Sequence, residues 1–214
     1  QFAKIKKGDT VIDLGSGAGN DCFVARAATG ASGKVIGIDF TPAMVVKAKA
    51  NAENLGYTNV EFRQGDIDNM PVAADVADVI VSNCVLNLVP NKSKVFKEMY
   101  RVLKPGGHFS ISDIVLVGEL PDSLKKDAEM YAGCVAGAIQ KEAYLELIQA
   151  GGFENIVLQK EKSIIIPADI LSNYLNEEEI EDFKTGNTGI FSITVYAEKP
   201  VEEKDTCCGS GCCQ

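Results

Sequence analysis

Two sets of residues in this chain have types and spacings suited to chemistry. The first is Val11-Ile12-Asp13-Leu14-Gly15-Ser16-Gly17-Ala18-Gly19, an apolar run that passes directly into a glycine-rich turn. Such a turn lets backbone N–H groups and the positive end of a helix approach a ligand closely, and Asn20-Asp21 are expected to cap that helix. A dinucleotide fingerprint needs Gly-x-Gly-x-x-Gly, but its last position here is Asn20, and the third glycine falls early, at Gly19. The acid Asp13 closes the strand just before the turn. A carboxylate there repels a pyrophosphate and suits a cationic or amine-bearing ligand.

The second set is the thiols. The chain has seven cysteines and one histidine, His108. Reducing compartments keep thiols from pairing, so a set this large points to metal binding or catalysis more than to a disulfide framework. An odd number cannot pair completely, and a single histidine excludes a His-based metal site. Cys84 closes a predicted strand. Cys22 falls in the first turn of the helix after the glycines, where the helix N-terminus is expected to lower its pKa. Cys134 sits in Gly133-Cys134-Val135-Ala136-Gly137-Ala138, whose small residues allow close backbone approach. Cysteine is also among the residues most often simply buried. Packing alone would account for Cys22, whereas the ligand-facing position of Cys84 argues for function.

The elements that must position these residues alternate regularly. Strands are predicted at 10–14, 34–39, 60–64, 76–83 and 108–113. One helix starts at Thr41-Pro42, a cap with proline at the first helical position, and ends near Leu55-Gly56. A second carries Val95, Phe96, Met99, Val102 and Leu103 on one face, and Lys104-Pro105-Gly106-Gly107 is expected to stop it. Further on, 141–150 reads as helix, 156–160 as a strand and 191–198 as the last strand. This βαβα rhythm implies an α/β, doubly wound, mostly parallel sheet covered on both faces. In such a sheet the first and fourth strands are neighbours, and ligands bind outside their carboxyl ends. Cys84 is thereby expected beside the loop after Asp13. Asp39, 22 residues after Gly17, is placed to bind ribose hydroxyls. Gly65-Asp66-Ile67 follows the third strand, where a carboxylate meets an adenine amino group, and Asn83 ends the fourth. Asp113 ends the fifth and either faces the crevice or caps the next segment. His108 is expected to be exposed and structural.

Composition narrows the function class. The 214 residues suffice for one α/β domain, and 46% are hydrophobic, as a globular chain requires. A formal net charge of −9 argues against nucleic acid and anionic membrane surfaces as partners. There is no apolar run of spanning length and no signal peptide, so a cytoplasmic location is expected. We divide the chain into a catalytic domain over 1–200, with a less regular acidic insertion at 165–189, and a flexible cysteine-rich tail over 201–214. The first strand begins about nine residues in. That leaves no room for a lid before it, and a leading segment is expected to be missing.

Asp13-x-Gly15-x-Gly17-x-Gly19 resembles motif I of class I S-adenosylmethionine (SAM) methyltransferases, in which the acid faces the methionine part of the cofactor. More specifically, Asp21-Cys22-Phe23, Ser82-Asn83-Cys84-Val85-Leu86-Asn87-Leu88, the 131–138 segment and the paired-cysteine tail resemble arsenite methyltransferases. The resemblance runs from about Gly8 to the end of the chain. It implies a Rossmann-like, seven-stranded sheet with an antiparallel last strand. Under it, Asp13, Gly15, Gly17, Gly19, Asp39, Phe40, Met44, Gly65, Asp66, Ile67, Asn83 and Leu88 bind SAM, leaving S-adenosylhomocysteine (SAH) as product. It also implies that Cys84 and Cys134 hold As(III), with Cys22 as a third sulfur or a disulfide partner during turnover. Cys207, Cys208, Cys212 and Cys213 would scavenge metalloid, and thioredoxin or glutathione would supply reducing thiols. The family's usual N-terminal extension, with a further cysteine, is missing. The chemistry is consistent: trivalent arsenic is soft and selects thiolates, and its lone pair attacks a sulfonium methyl without needing a general base.

Three other readings remain open. A methyltransferase for a small organic acceptor would share the fold but would usually need a base near the methyl. A thiol-based metalloid or zinc buffer would use the four tail cysteines. An NAD-linked oxidoreductase is opposed by the glycine spacing and by Asp13.

Overall fold

The computed structural model describes residues 3–120, 124, 135, 137–167, 171–185 and 188–201. Its centre is a seven-stranded sheet in the order β3-β2-β1-β4-β5-β7-β6. The strands are β1 (Thr10–Leu14), β2 (Lys34–Asp39), β3 (Val60–Gln64), β4 (Ala77–Asn83), β5 (Leu103–Val117), β6 (Glu154–Ser163) and β7 (Gly189–Glu198). Strands β1 to β5 run parallel, and β7 lies antiparallel between β5 and β6. The order reverses between β1 and β4, which opens a crevice at their carboxyl ends.

The strand sequences explain why the sheet is covered on both faces. In β1, Val11 and Asp13 face one way and Ile12 and Leu14 the other, and all four are buried. On the first face, Val11, Val35, Phe62 and Val79 pack with Cys22 and Ala25 of α1 (Asn20–Thr29) and with Val45 and Ala48 of α2 (Pro42–Asn54). On the second, Ile12, Leu14, Ile36 and Ile80 pack against α3 (Lys92–Val102) and α4 (Lys141–Ala150). The predicted face of α3 is the buried one: Val95, Phe96, Met99 and Val102 are all fully enclosed. The Asn91 side chain caps that helix by accepting from the Lys94 N–H at 3.1 Å.

Two local expectations need correction. The helix before Lys104-Pro105-Gly106-Gly107 ends at Val102 as expected, but that stretch lies inside the long strand β5 rather than before a strand starting at His108. The irregular start of the β4–β5 pairing absorbs it, with Gly106 at a left-handed φ of 77°. Secondly, neither Asn20 nor Asp21 caps α1. The cap position is Gly19, which offers no side-chain bond, so the first N–H groups of α1 have no side-chain cap. The acidic stretch at 165–189 contains a helix, α5 (Glu177–Thr185). Phe183 of α5, with Leu171 and Leu175, covers Ile114, Leu116 and Ile190 in a third apolar cluster.

Candidate functional site

The glycine turn is held by backbone bonds and by two side chains, Asp39 and Asn51, the latter donating to the Ala18 carbonyl at 3.0 Å. The N–H groups of Gly15 and Ser16 both donate to the Ile38 carbonyl, at 2.8 and 3.0 Å, tying the turn to the end of β2. Gly15, Gly17 and Gly19 all have positive φ. At Gly15 the glycine is also required by space, because a Cβ would lie 2.4 Å from Val85 Cγ2. Asp39 then fixes the far side: its carboxylate accepts from the Gly17 N–H and the Thr41 N–H, each at 2.9 Å.

These elements border a crevice of about 420 Å³. Of the predicted cofactor residues, Gly15, Asp39, Phe40, Gly65, Asp66, Ile67 and Leu88 line it. Val85, Val89, Pro90 and Asp68 line it as well, and sequence reasoning missed them. Their signal was adjacency to Leu88 and Asp66. Phe40 and Leu88 are largely exposed, which is unusual for large apolar side chains and suits a surface awaiting a flat ligand. Met44, also part exposed, is not in the lining. Asn83 opens onto a neighbouring groove of about 340 Å³, with Asp21, Val24 and Ser82. A larger groove between α2 and β3 holds none of the predicted residues.

Asp13 is buried at the end of β1, on the face covered by α1. The Cys22 thiol donates to its Oδ2 at 3.2 Å. Burial pushes the Asp13 carboxyl up to about 7; the Cys22 bond opposes this, and the neighbouring charges of Asp21 and Asp39 add to it. The same arrangement overturns the expectation of an activated Cys22. Burial, then the Asp13 charge and the bond to it, push the thiol well above its ordinary range. A helix N-terminus offers only about 1 kcal/mol toward thiolate, too little to offset burial beside a carboxylate. Cys22 packs with Val11 and Val79 rather than in the cluster that Cys84 borders.

Cys84 follows β4 with its backbone in the left-handed region, φ 56°, rare for a residue with a side chain. Its N–H donates to the Ser112 carbonyl of β5 at 2.8 Å, which pins this turn. It is half-buried and borders the apolar cluster that contains Val135, Ile114 and Leu116. Cys134, Cys207, Cys208, Cys212 and Cys213 lie outside the described residues. Among the described residues no group of His, Cys, Asp and Glu is arranged to hold a metal ion.

Asp113 does not face the crevice. It is buried, accepts from the Ile114 N–H at 3.0 Å and from the Tyr144 hydroxyl at 3.3 Å, and its carboxyl is pushed up to about 6 by burial. The nearby Lys92 ammonium partly offsets this, while burial lowers the pKa of Lys92 itself. Burial drives the Tyr144 hydroxyl far above its ordinary range, and the charges of Asp113 and Cys84 add to this. His108, at the opposite end of β5, bonds the Ala3 carbonyl through Nε2 at 2.8 Å and stacks on Tyr196.

Comparison with known proteins agrees with this geometry. Residues 5–152 match the family model of a methyltransferase domain. An arsenite methyltransferase of Halobacterium salinarum is 39% identical over 203 residues, covering 94% of this chain and 49% of the relative. The human arsenite methyltransferase is 38% identical over 152 residues, covering 67% of this chain and 40% of the relative. Among solved structures, an arsenic(III) S-adenosylmethionine methyltransferase from Chlamydomonas reinhardtii superposes with a TM-score of 0.74 at 33% identity, covering 94% of this chain and 66% of that one. The chain thus spans about half the length, or less, of the curated relatives it matches.

Proposed function

The chain belongs to the methyltransferase-domain family and resembles arsenite methyltransferases within it, and from that premise we propose that it transfers a methyl group from SAM to trivalent arsenic held by cysteine thiolates. The residues present fit the cofactor. A helix start without a side-chain cap follows a positive-φ glycine turn, and the Asp39 and Asp66 carboxylates line the crevice beside it. Asp13 would hold the cofactor's ammonium group, Asp39 the ribose hydroxyls and Asp66 the adenine amino group, with Phe40, Ile67 and Leu88 against the base. When bound, SAM supplies an electrophilic methyl on a sulfonium sulfur.

The observation that carries the arsenic reading is the position of Cys84. It stands at the switch point of the sheet, on a strained backbone, against the same cluster as Val135, the neighbour of Cys134 in the chain. Two thiolates leave the arsenic lone pair directed outward, so no residue has to remove a proton from the acceptor. An organic acceptor would usually need such a residue. Neither Asp113 nor His108 is placed to be that residue: Asp113 is enclosed beneath Tyr144, and His108 lies at the other end of β5. Methylation consumes the lone pair and raises the formal oxidation state of arsenic. The reading therefore includes a thiol reductant, thioredoxin or glutathione, and a cytoplasmic setting. No helix among the described residues is long and apolar enough to cross a membrane.

The test is arsenite-dependent methyl transfer with each thiol replaced. Cys84→Ser and Cys134→Ser are expected to abolish transfer while SAH binding persists. Full activity in both variants would remove arsenic from the reading and leave a methyltransferase of another acceptor.

A further inference from the structure

Lys92 is out of place by local rules. It occupies the first turn of α3, where the helix dipole disfavours a cation, and it is 8% exposed, where an ammonium needs a partner. Tertiary structure supplies that partner. Lys92 Nζ donates to the Gly137 carbonyl at 2.8 Å, 45 residues along the chain, and Asp113 lies close enough to interact with it by charge. At Gly137 the chain is pressed onto the turn after β4, because a Cβ there would fall 1.8 Å from the Asn87 carbonyl oxygen. The Asn87 amide in turn donates to the Ile114 carbonyl of β5 at 2.7 Å. Beyond Gly137, the Leu116 N–H donates to the Ile139 carbonyl at 2.9 Å.

We propose that Lys92 is a positioning residue for arsenic capture: its ammonium holds the backbone at Gly137 against the turn that carries Cys84, and so fixes where the Cys84 thiol stands. The inference rests on the arsenic reading above and adds to it a residue that touches neither cofactor nor arsenic. Its physical basis is the short tether. Two residues lie between Cys84 and Asn87, so the contact between Asn87 and Gly137 limits how far the turn that carries Cys84 can move. A charge-assisted bond from a buried ammonium ties Gly137 to the start of α3, five residues after Asn87 in the chain.

Phenylarsine oxide reads the core thiols once the tail thiols Cys207, Cys208, Cys212 and Cys213 are replaced by serine in every protein compared, because tight binding of this trivalent arsenical needs two sulfurs and neither SAM nor turnover. The full chain, Lys92→Met and Lys92→Arg are titrated calorimetrically with it, and separately with SAH. Lys92→Met is expected to weaken phenylarsine oxide by about tenfold and to raise the KM for arsenite more than it lowers kcat. SAH affinity should stay within about twofold, and Lys92→Arg should recover most of the arsenical affinity. If Lys92→Met also loses SAH binding, Lys92→Gln decides, since it removes the charge but keeps a donor: selective loss of arsenical affinity supports the clamp. Parallel loss of both ligands in Lys92→Gln, or unchanged arsenical affinity in Lys92→Met with SAH binding intact, overturns it. A chain that keeps Lys92 and still fails to bind phenylarsine oxide contradicts the arsenic reading itself, a failure seen before any Lys92 variant is compared.

Discussion

On the β1–β3 side of the crevice, each feature sits at a strand end and is fixed by neighbours within one βα unit or the next strand. On the β4–β5 side, the features meet only through long-range contacts: Asn87 reaches Ile114 and Lys92 reaches Gly137. The first side is a backbone cradle, built from glycine φ angles and carbonyl bonds and indifferent to redox state. The second joins separate segments beside Cys84, with a buried Lys92–Asp113–Tyr144 group behind it. A cofactor that is the same in every turnover suits a rigid cradle. A soft atom that must enter, be modified and leave suits parts that can separate.

The contrast breaks most severely at Gly15. Gly15→Ala would place a Cβ at positive φ and against Val85, which joins the cradle to the turn after β4. We expect a loss of about 2–4 kcal/mol of stability from strain and overpacking together, read by denaturant unfolding, and loss of SAH binding by calorimetry. A variant that binds SAH normally would show that the cradle is softer than described.

A smaller effect sharpens the electrostatic side. With Asp13 near 7 in the absence of ligand, an ammonium group binds best to the ionised carboxylate. Affinity is therefore retained above about pH 7 and lost as pH falls through it. SAH affinity should drop about tenfold between pH 7 and pH 5.5, and Asp13→Asn should flatten the profile. A flat wild-type profile would show that Asp13 does not meet the cofactor amine.

The legible part of the molecule divides along the same line. The glycine turn, Asp39 and Asp66 were readable because each is a local pattern at a strand end. So was the apolar face of α3. The Lys104–Gly107 stretch follows the end of α3 as read but misled about where the strand starts: backbone bonds between Gly106, Gly107 and Lys199 hold it in β5 through an irregularity in the β4 pairing. Cys22 misled because position on a helix says nothing of depth: burial beside Asp13 outweighs the helix terminus. Lys92 and Asn87 went unread because their partners lie far along the chain, although a lysine in the first turn of a helix was itself a signal. The small residues around Cys134 did suggest close backbone approach, and Gly137 makes one.

The smallest expected effect concerns Cys22. Cys22→Ala removes a buried thiol and the bond it donates to Asp13, at about 1–2 kcal/mol of stability in unfolding experiments. Because that bond lowers the Asp13 pKa, the midpoint of the SAH pH profile should move upward. An unmoved midpoint would separate Cys22 from the cofactor site.

The central claim is that two thiols from distant parts of the chain grip one arsenic atom beside the cofactor. Calorimetric titration of arsenite into the SAH-bound protein, with Cys207, Cys208, Cys212 and Cys213 replaced by serine, tests it most directly. The account predicts binding of about one As(III) per chain at the core thiols, lost in Cys84→Ser and in Cys134→Ser with SAH still bound. Arsenite binding that survives undiminished in both variants, or its absence when both core thiols are present, would contradict it.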